Sequence, residues 1–202
     1  MKALAHFRTI TKHKFLVMKH CFRIGLYKQG LLHDLSKYMP SEFLIGCKYY
    51  QGTRSPNNAE REVKGYSAAW LHHKGRNKHH FEYWTDYSLQ QKGVAMAGVK
   101  MPRKYVAEML MDRIAASKVY NGREYTDHDP LEYYQNGKTH YLLHPETADQ
   151  LEKLLHVLDK HGEEVLFDFV KNRYLKKRNR TLDHRLVGIH KSVRRDVVKH
   201  SI

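Results

Sequence analysis

PRKYVAEMLMDRIAASKVYNG, residues 102–122, carries the plainest structural signal in the chain. Pro102 sits where a helix-opening proline belongs. Tyr105, Val106, Met109, Leu110, Ile114 and Val119 then recur at helical spacing, and Asn121-Gly122 is a stop signal. The stretch predicts an amphipathic helix over Arg103–Tyr120. It also holds an anomaly: Asp112 is set among Met109, Leu110, Met111, Ile114 and Ala115. A carboxylate in such company is usually paired or bound to a metal. Arg113 next to it offers the plainer alternative of a salt bridge.

Working outward, the rest of the chain reads the same way. Leu4, Phe7, Ile10, Phe15, Val17, Met18, Phe22 and Leu26 predict a helix over residues 3–27, ended by Gly25 and Gly30. Short helices are expected over Leu31–Tyr38 and Glu42–Tyr50, with Pro40 between them and Ser41 as N-cap. QGTRSPNN (51–58) is a loop by composition. Helix is expected over Ala59–His73 and His79–Tyr87, with KGRNK (74–78) as a polar interruption, and residues 88–101 read as a mobile connection. Asp129-Pro130 opens a helix ending at Asn136-Gly137. Pro145–His161 and Glu163–Leu175 are two more, joined at Gly162. No alternating strand pattern is visible, so the fold class is all-α, a helical bundle.

The 202 residues suit one domain plus an appendage: a helical domain over 1–175 and a basic extension over 176–202, with Leu182, Leu186, Ile189, Val193 and Val197 weakly amphipathic. An apolar fraction of 41% argues against disorder. No long apolar run predicts a membrane span, and the N-terminus lacks a secretory pattern. The expectation is a cytoplasmic protein with no membrane partner. Cys21 and Cys47, without C-x-x-C spacing, read as reduced, buried thiols. The net charge of +15 favours anionic partners: phosphorylated small molecules first, nucleic acid second. The basic tail is the natural candidate for the latter. Nothing in the sequence speaks to oligomeric state.

Histidine is over-supplied, with 16 in the chain. His33-Asp34 forms a doublet in HDLSK (33–37), followed one turn on by Lys37. WLHHKGRNKHHFEYW (70–84) places four histidines between 72 and 80, flanked by Trp70, Tyr83 and Trp84. Imidazoles are costly to bury without partners, and a metal supplies them. On the first helix His13 and His20 share a face, and either can add an imidazole.

The order His, His-Asp, His, His-His, Asp resembles the HD-domain superfamily in its form with extra histidines. HDLSKYMPSEF (33–43), the Trp70-x-x-His73-x-x-x-Asn77-x-His79-His80 segment and MPRKYVAEML (101–110) are similar to an uncharacterised bacterial and phage family of HD-like proteins, DUF5662-like, over about residues 5–175. The resemblance implies an HD-domain-like bundle with metal ligands His13, His33, Asp34, His73, His79, His80 and Asp112, His72 staying outside. It implies Asp34 as the residue that ligates and orients water, and Lys37 as a contact to phosphate. Arg76, Asn77 and Lys78, with Lys74, are candidate substrate contacts; Asn77 alternatively holds the turn. Ser36 stands where the superfamily usually has Gly, and no Gly-Tyr-Pro specificity segment occurs, which argues against cyclic dinucleotides.

Mixed N/O ligation suits one or two ions of Mn, Fe, Co, Ni or Zn. The expected function is a metal-dependent phosphohydrolase acting on a nucleotide or another phosphorylated small molecule. The alternatives are an HD-type mixed-valent diiron oxygenase, which the same ligands serve, and a non-enzymatic nucleic-acid-binding protein.

Overall fold

The computed structural model describes residues 2–89, 93 and 95–176. The basic extension expected over 176–202 lies, Lys176 apart, outside the described residues. Among the described residues the eight α-helices are α1 (Lys2–Arg23), α2 (Tyr27–Leu32), α3 (Pro40–Tyr49), α4 (Pro56–Lys64), α5 (Ala68–Lys74), α6 (Arg103–Asn121), α7 (Asp129–Gly137) and α8 (Pro145–Phe169). Among the described residues the fold is all-α apart from one small hairpin.

α6 is the hub. Residues Val106 to Met111 are buried in succession, so this half of the helix is enclosed all round rather than along the single stripe expected of it. It packs on α1, α7 and α8. The core joins Val17 and Cys21 of α1 to Leu110 and Ile114 of α6, to Leu151, Leu154, Leu155 and Leu158 of α8, and to Tyr174 beyond it. The helices α3, α4 and α5 form a second group that meets α1 through α3.

α1 turns an unexpected face inward. Leu4, Phe7 and Phe15, three of the apolar residues that predict it, are exposed. The buried face is His6, Ile10, His13, Val17, His20 and Cys21, so three histidines at seven-residue spacing enter the interior. The helix ends at Arg23, earlier than periodicity suggested, because Gly25 adopts a left-handed conformation, φ 82°.

The expected helix over Ala59–His73 is two helices. Gly65, at φ 79°, closes α4, and Ser67 caps α5 by accepting from the Trp70 backbone N–H at 3.0 Å. α4 also starts earlier than expected, at Pro56, behind an N-cap from Ser55. Pro145–His161 and Glu163 onward are separate helical runs, as expected, with Gly162 non-helical at φ 77°.

Two expectations fail between α5 and α6. Residues 79–87 are not helical: Phe81–Tyr83 form a single 3-10 turn, and Thr85–Tyr87 is strand β1. It pairs antiparallel with β2, Met96–Gly98, inside the segment read as a mobile connection. Gly98 is required there. A Cβ on it would stand 2.4 Å from the His144 backbone nitrogen and 2.7 Å from Leu142 O, so the strand runs against the 142–144 backbone. The thiols are both free, with Cys21 buried as expected and Cys47 only half-buried. Among the described residues no helix is long and apolar enough to cross a membrane.

Candidate metal centre

The His33-Asp34 doublet is not on a helix. α2 stops at Leu32, His33 is extended (φ −53°, ψ 128°), and Asp34 is left-handed at φ 54°, the only non-glycine residue with positive φ among those described. A 3-10 turn over Leu35–Tyr38 follows, opened by Lys37 N–H donating to Asp34 O at 3.0 Å. Holding a non-glycine residue there costs on the order of 1 kcal/mol. Helical neighbours would point about 100° apart; this break lets both side chains face one centre. Lys14 pins it, donating to the carbonyls of Leu31 (2.9 Å) and His33 (2.8 Å).

Seven side chains from five parts of the chain meet there. α1 supplies His13, the break supplies His33 and Asp34, α5 supplies His73, the turn after it supplies His79 and His80, and α6 supplies Asp112. All seven predicted ligands are therefore brought together. They divide into two groups of four, Asp34–His73–His79–His80 and His13–His33–Asp34–Asp112, and within each the ligand atoms lie within 4.8 Å of one another.

Asp34 belongs to both groups and divides its oxygens between them. Oδ1 lies 3.2 Å from His73 Nε2 and 3.3 Å from His79 Nε2. Oδ2 lies 3.3 Å from His33 Nε2 and 3.6 Å from His13 Nε2. Asp112 Oδ1 completes the second group, 2.9 Å from His13 Nε2 and 3.6 Å from His33 Nε2. His80 Nε2 completes the first, 2.9 Å from His73 Nε2.

These separations would suit ligands around a shared ion. With bonds of about 2.1 Å, two ligands stand about 3.0 Å apart at a right angle and about 3.4 Å apart at the tetrahedral angle. The directions agree. His13 Nε2, His33 Nε2, His79 Nε2 and Asp34 Oδ1 are buried, yet none makes a hydrogen bond, while Asp34 Oδ2 has an ion pair with Lys37. Even the 2.9 Å approach of His13 to Asp112 is off line for one. Four buried polar atoms facing a common space without satisfying one another are expensive, and divalent cations would satisfy them.

The backs of the imidazoles are held by two glutamates that the sequence reading passed over. Glu108 Oε1 takes the Nδ1 hydrogens of His33 (3.0 Å) and His79 (3.2 Å). Glu42 takes those of His73 (2.8 Å, Oε2) and His72 (2.5 Å, Oε1). For the rings that face the centre, each bond places the proton on Nδ1 and leaves Nε2 as the nitrogen with the lone pair, the usual outer arrangement of histidine metal sites. One signal was available for Glu108: it stands four residues before Asp112, on the same helical face. Glu42 had none that distinguishes it from a helix-opening acid.

The electrostatics favour cations at the carboxylates. Burial alone would raise the Asp34 carboxyl, but the charges of His33, Lys37 and His73 hold it well below the usual carboxylate range. Burial opposes ionisation of Asp112 too, and its contacts with His13 and His33 overcome this. Burial, reinforced by His79 and His73, pushes His80 well below its ordinary value, leaving a neutral imidazole able to ligate. Lys37 Nζ sits 2.5 Å from Asp34 Oδ2.

Other expectations need correction. His20 packs against the Phe167 ring, 5.3 Å between centroids, and belongs to the core; His13 alone of that face enters the centre. His72 stays outside it, as expected, bound to Glu42 and Ser41. Asp112 does not pair with Arg113. Asn77 is buried in the scaffold, donating to Ser36 Oγ and His73 O, each at 2.8 Å, so it holds the turn rather than facing a ligand. Arg76 reaches back to His72 O, and Lys78 lies over the Tyr83 ring. None of Lys74, Arg76, Asn77 and Lys78 lines the cavity that opens on the centre. Its walls include Lys37, Arg54, Arg113, Glu82 and Tyr133 instead, and its volume is about 620 Å³. Trp70 packs on His80 and His73, as an aromatic wall should, whereas Trp84 packs on Tyr83 and Tyr105.

A family model matches residues 2–157, which contain every residue of this centre: DUF5662, a family of unknown function. The chain belongs to the DUF5662 family. No curated protein and no solved structure matches it. For this family member the centre's own chemistry is therefore the guide to function.

Proposed function

We propose that this DUF5662 protein is a two-metal phosphohydrolase of HD type, acting on a phosphorylated small molecule. The observation that carries the reading is the division of the Asp34 carboxylate, one oxygen to each histidine group. A carboxylate so placed suits a bridge between two ions. Histidine-rich N/O ligation selects Mn, Fe, Co, Ni or Zn over Ca or Mg.

Two ions there would supply Lewis acidity to a phosphoryl oxygen and a lowered pKa to bound water. The chain's own groups do the remainder. Glu108 and Glu42 fix the imidazole orientations, so the site needs little reorganisation at the moment of reaction. Lys37 lines the cavity beside Asp34, placed to neutralise a phosphoryl oxygen as charge develops. The cavity has the size of a small-molecule site, typically about 300–1,000 Å³. Nucleotides fall within that class.

The test is elemental analysis of untagged protein followed by a phosphoester panel. About two ions per chain and phosphate release with Mn, Co or Ni are expected. Two ions with no hydrolysis, but substrate-dependent oxygen uptake by the iron form, would move the assignment to a diiron oxygenase. No stoichiometric metal would end both readings and favour a nucleic-acid binder, whose affinity falls steeply with salt.

A further inference from the structure

We infer that Arg113 is the cavity's oxyanion-binding residue, recognising a phosphoryl group of the substrate without touching the metal ligands. The inference deepens the phosphohydrolase reading and rests on it for the choice of phosphate as the anion.

The guanidinium is in an unusual position. It lines the cavity that opens on Asp112, His73 and His80. Its Nε and Nη1 are buried and make no hydrogen bond, and among the described residues no ion pair engages it. Buried N–H donors of a permanent cation are among the costliest to leave unmatched. Three rings frame it, with its central carbon 5.8 Å from Tyr133, 5.9 Å from Tyr134 and 5.6 Å from Tyr141. Aromatic faces stabilise the charge and restrict the plane of the group, but they accept none of its in-plane hydrogens. The group is therefore oriented and still lacks an acceptor.

Glu82 lines the same cavity, and it does not fill that role. Its Oε2 is itself buried without a partner. A planar fork with free donors matches a phosphate or carboxylate edge, two parallel N–H···O bonds at once. Lys37 stands on the same cavity beside Asp34. The two cations, one beside the ligands and one in the tyrosine frame, suit an anion of more than one negative charge.

The experiment uses metal-loaded full-length protein and inorganic phosphate, with binding read by calorimetry and metal content measured on the same samples. Phosphate binding needs no turnover, so the result stands apart from whether hydrolysis is found. Arg113→Gln is expected to weaken phosphate at least tenfold with metal content unchanged. Arg113→Lys keeps the charge, loses the fork, and is expected to recover only part of the loss; it also serves if the glutamine variant does not fold. Acetate, run beside phosphate, separates a phosphoryl site from a general carboxylate site and should bind more weakly. The inference is overturned if either variant holds the metals and binds phosphate as the parent does, if the parent binds none at millimolar concentration, or if acetate binds as tightly.

Discussion

Glu108 and Asp112 stand one turn apart on α6 and address opposite nitrogens of the same imidazole: His33 Nδ1 lies 3.0 Å from Glu108 Oε1, and His33 Nε2 lies 3.6 Å from Asp112 Oδ1. One helix thus supplies a candidate ligand and the group that orients its neighbour. Because Glu108 also binds His79 Nδ1, it couples an imidazole of each group.

Glu108→Gln should therefore weaken both ions. The amide retains one acceptor oxygen but loses the charge that holds two Nδ1 hydrogens. Loss of an outer partner typically costs about 10–100-fold in metal affinity. Chelator competition against the parent checks this, and an unchanged affinity would remove Glu108 from the site's design.

Asp34 and Asp112 should differ in stoichiometry. Asp34→Ala removes the carboxylate common to both groups and is expected to leave no tightly held metal. Asp112→Ala touches only the group with His13 and His33 and should leave about one ion, held by Asp34, His73, His79 and His80. Elemental analysis distinguishes the two. Equal loss in both variants would argue for a single, mixed site.

His20 makes the fold sensitive to acid. Burial lowers its pKa from 6.5 to about 4, aided by the nearby Lys118 charge. Below pH 6.5 the unfolded chain takes up a proton that the folded chain refuses, so stability falls as pH drops from 6.5 towards 4. A displacement of this size is worth on the order of 3 kcal/mol at the acid end. His20→Gln should flatten that portion of the stability curve relative to the parent, as measured by denaturant titration across the window. A slope identical to the parent's would show that His20 protonates freely.

Gly98→Ala should cost about 2 kcal/mol or more. The new methyl would press on the His144 nitrogen and the Leu142 carbonyl, which are backbone atoms that cannot swing aside. Chemical denaturation measures it. A neutral result would mean that the hairpin is not seated against residues 142–144.

Helical class, the bounds of α6 and the break at Gly162 were legible in the sequence because each depends on residues within a few positions of one another. The seven side chains that cluster were legible too, through a motif order spanning residues 13–112. The hairpin was not, since strands of three residues carry too little alternation to register. The left-handed turn at Asp34 was hidden because no glycine marks it.

What the sequence alone determined, then, is a helical protein with a histidine-aspartate centre. The tertiary structure alone decided the partition of Asp34 between two groups, the choice of His13 over His20, and the service of Glu42 and Glu108 behind the rings. It also decided the isolation of Arg113 from its neighbour Asp112. The physical reason is range. Helix formation is settled by bonds four residues apart, whereas His73 meets Glu42 across 31 positions and His33 meets Glu108 across 75. Such pairs are fixed only when packing has set which nitrogen of each ring faces inward.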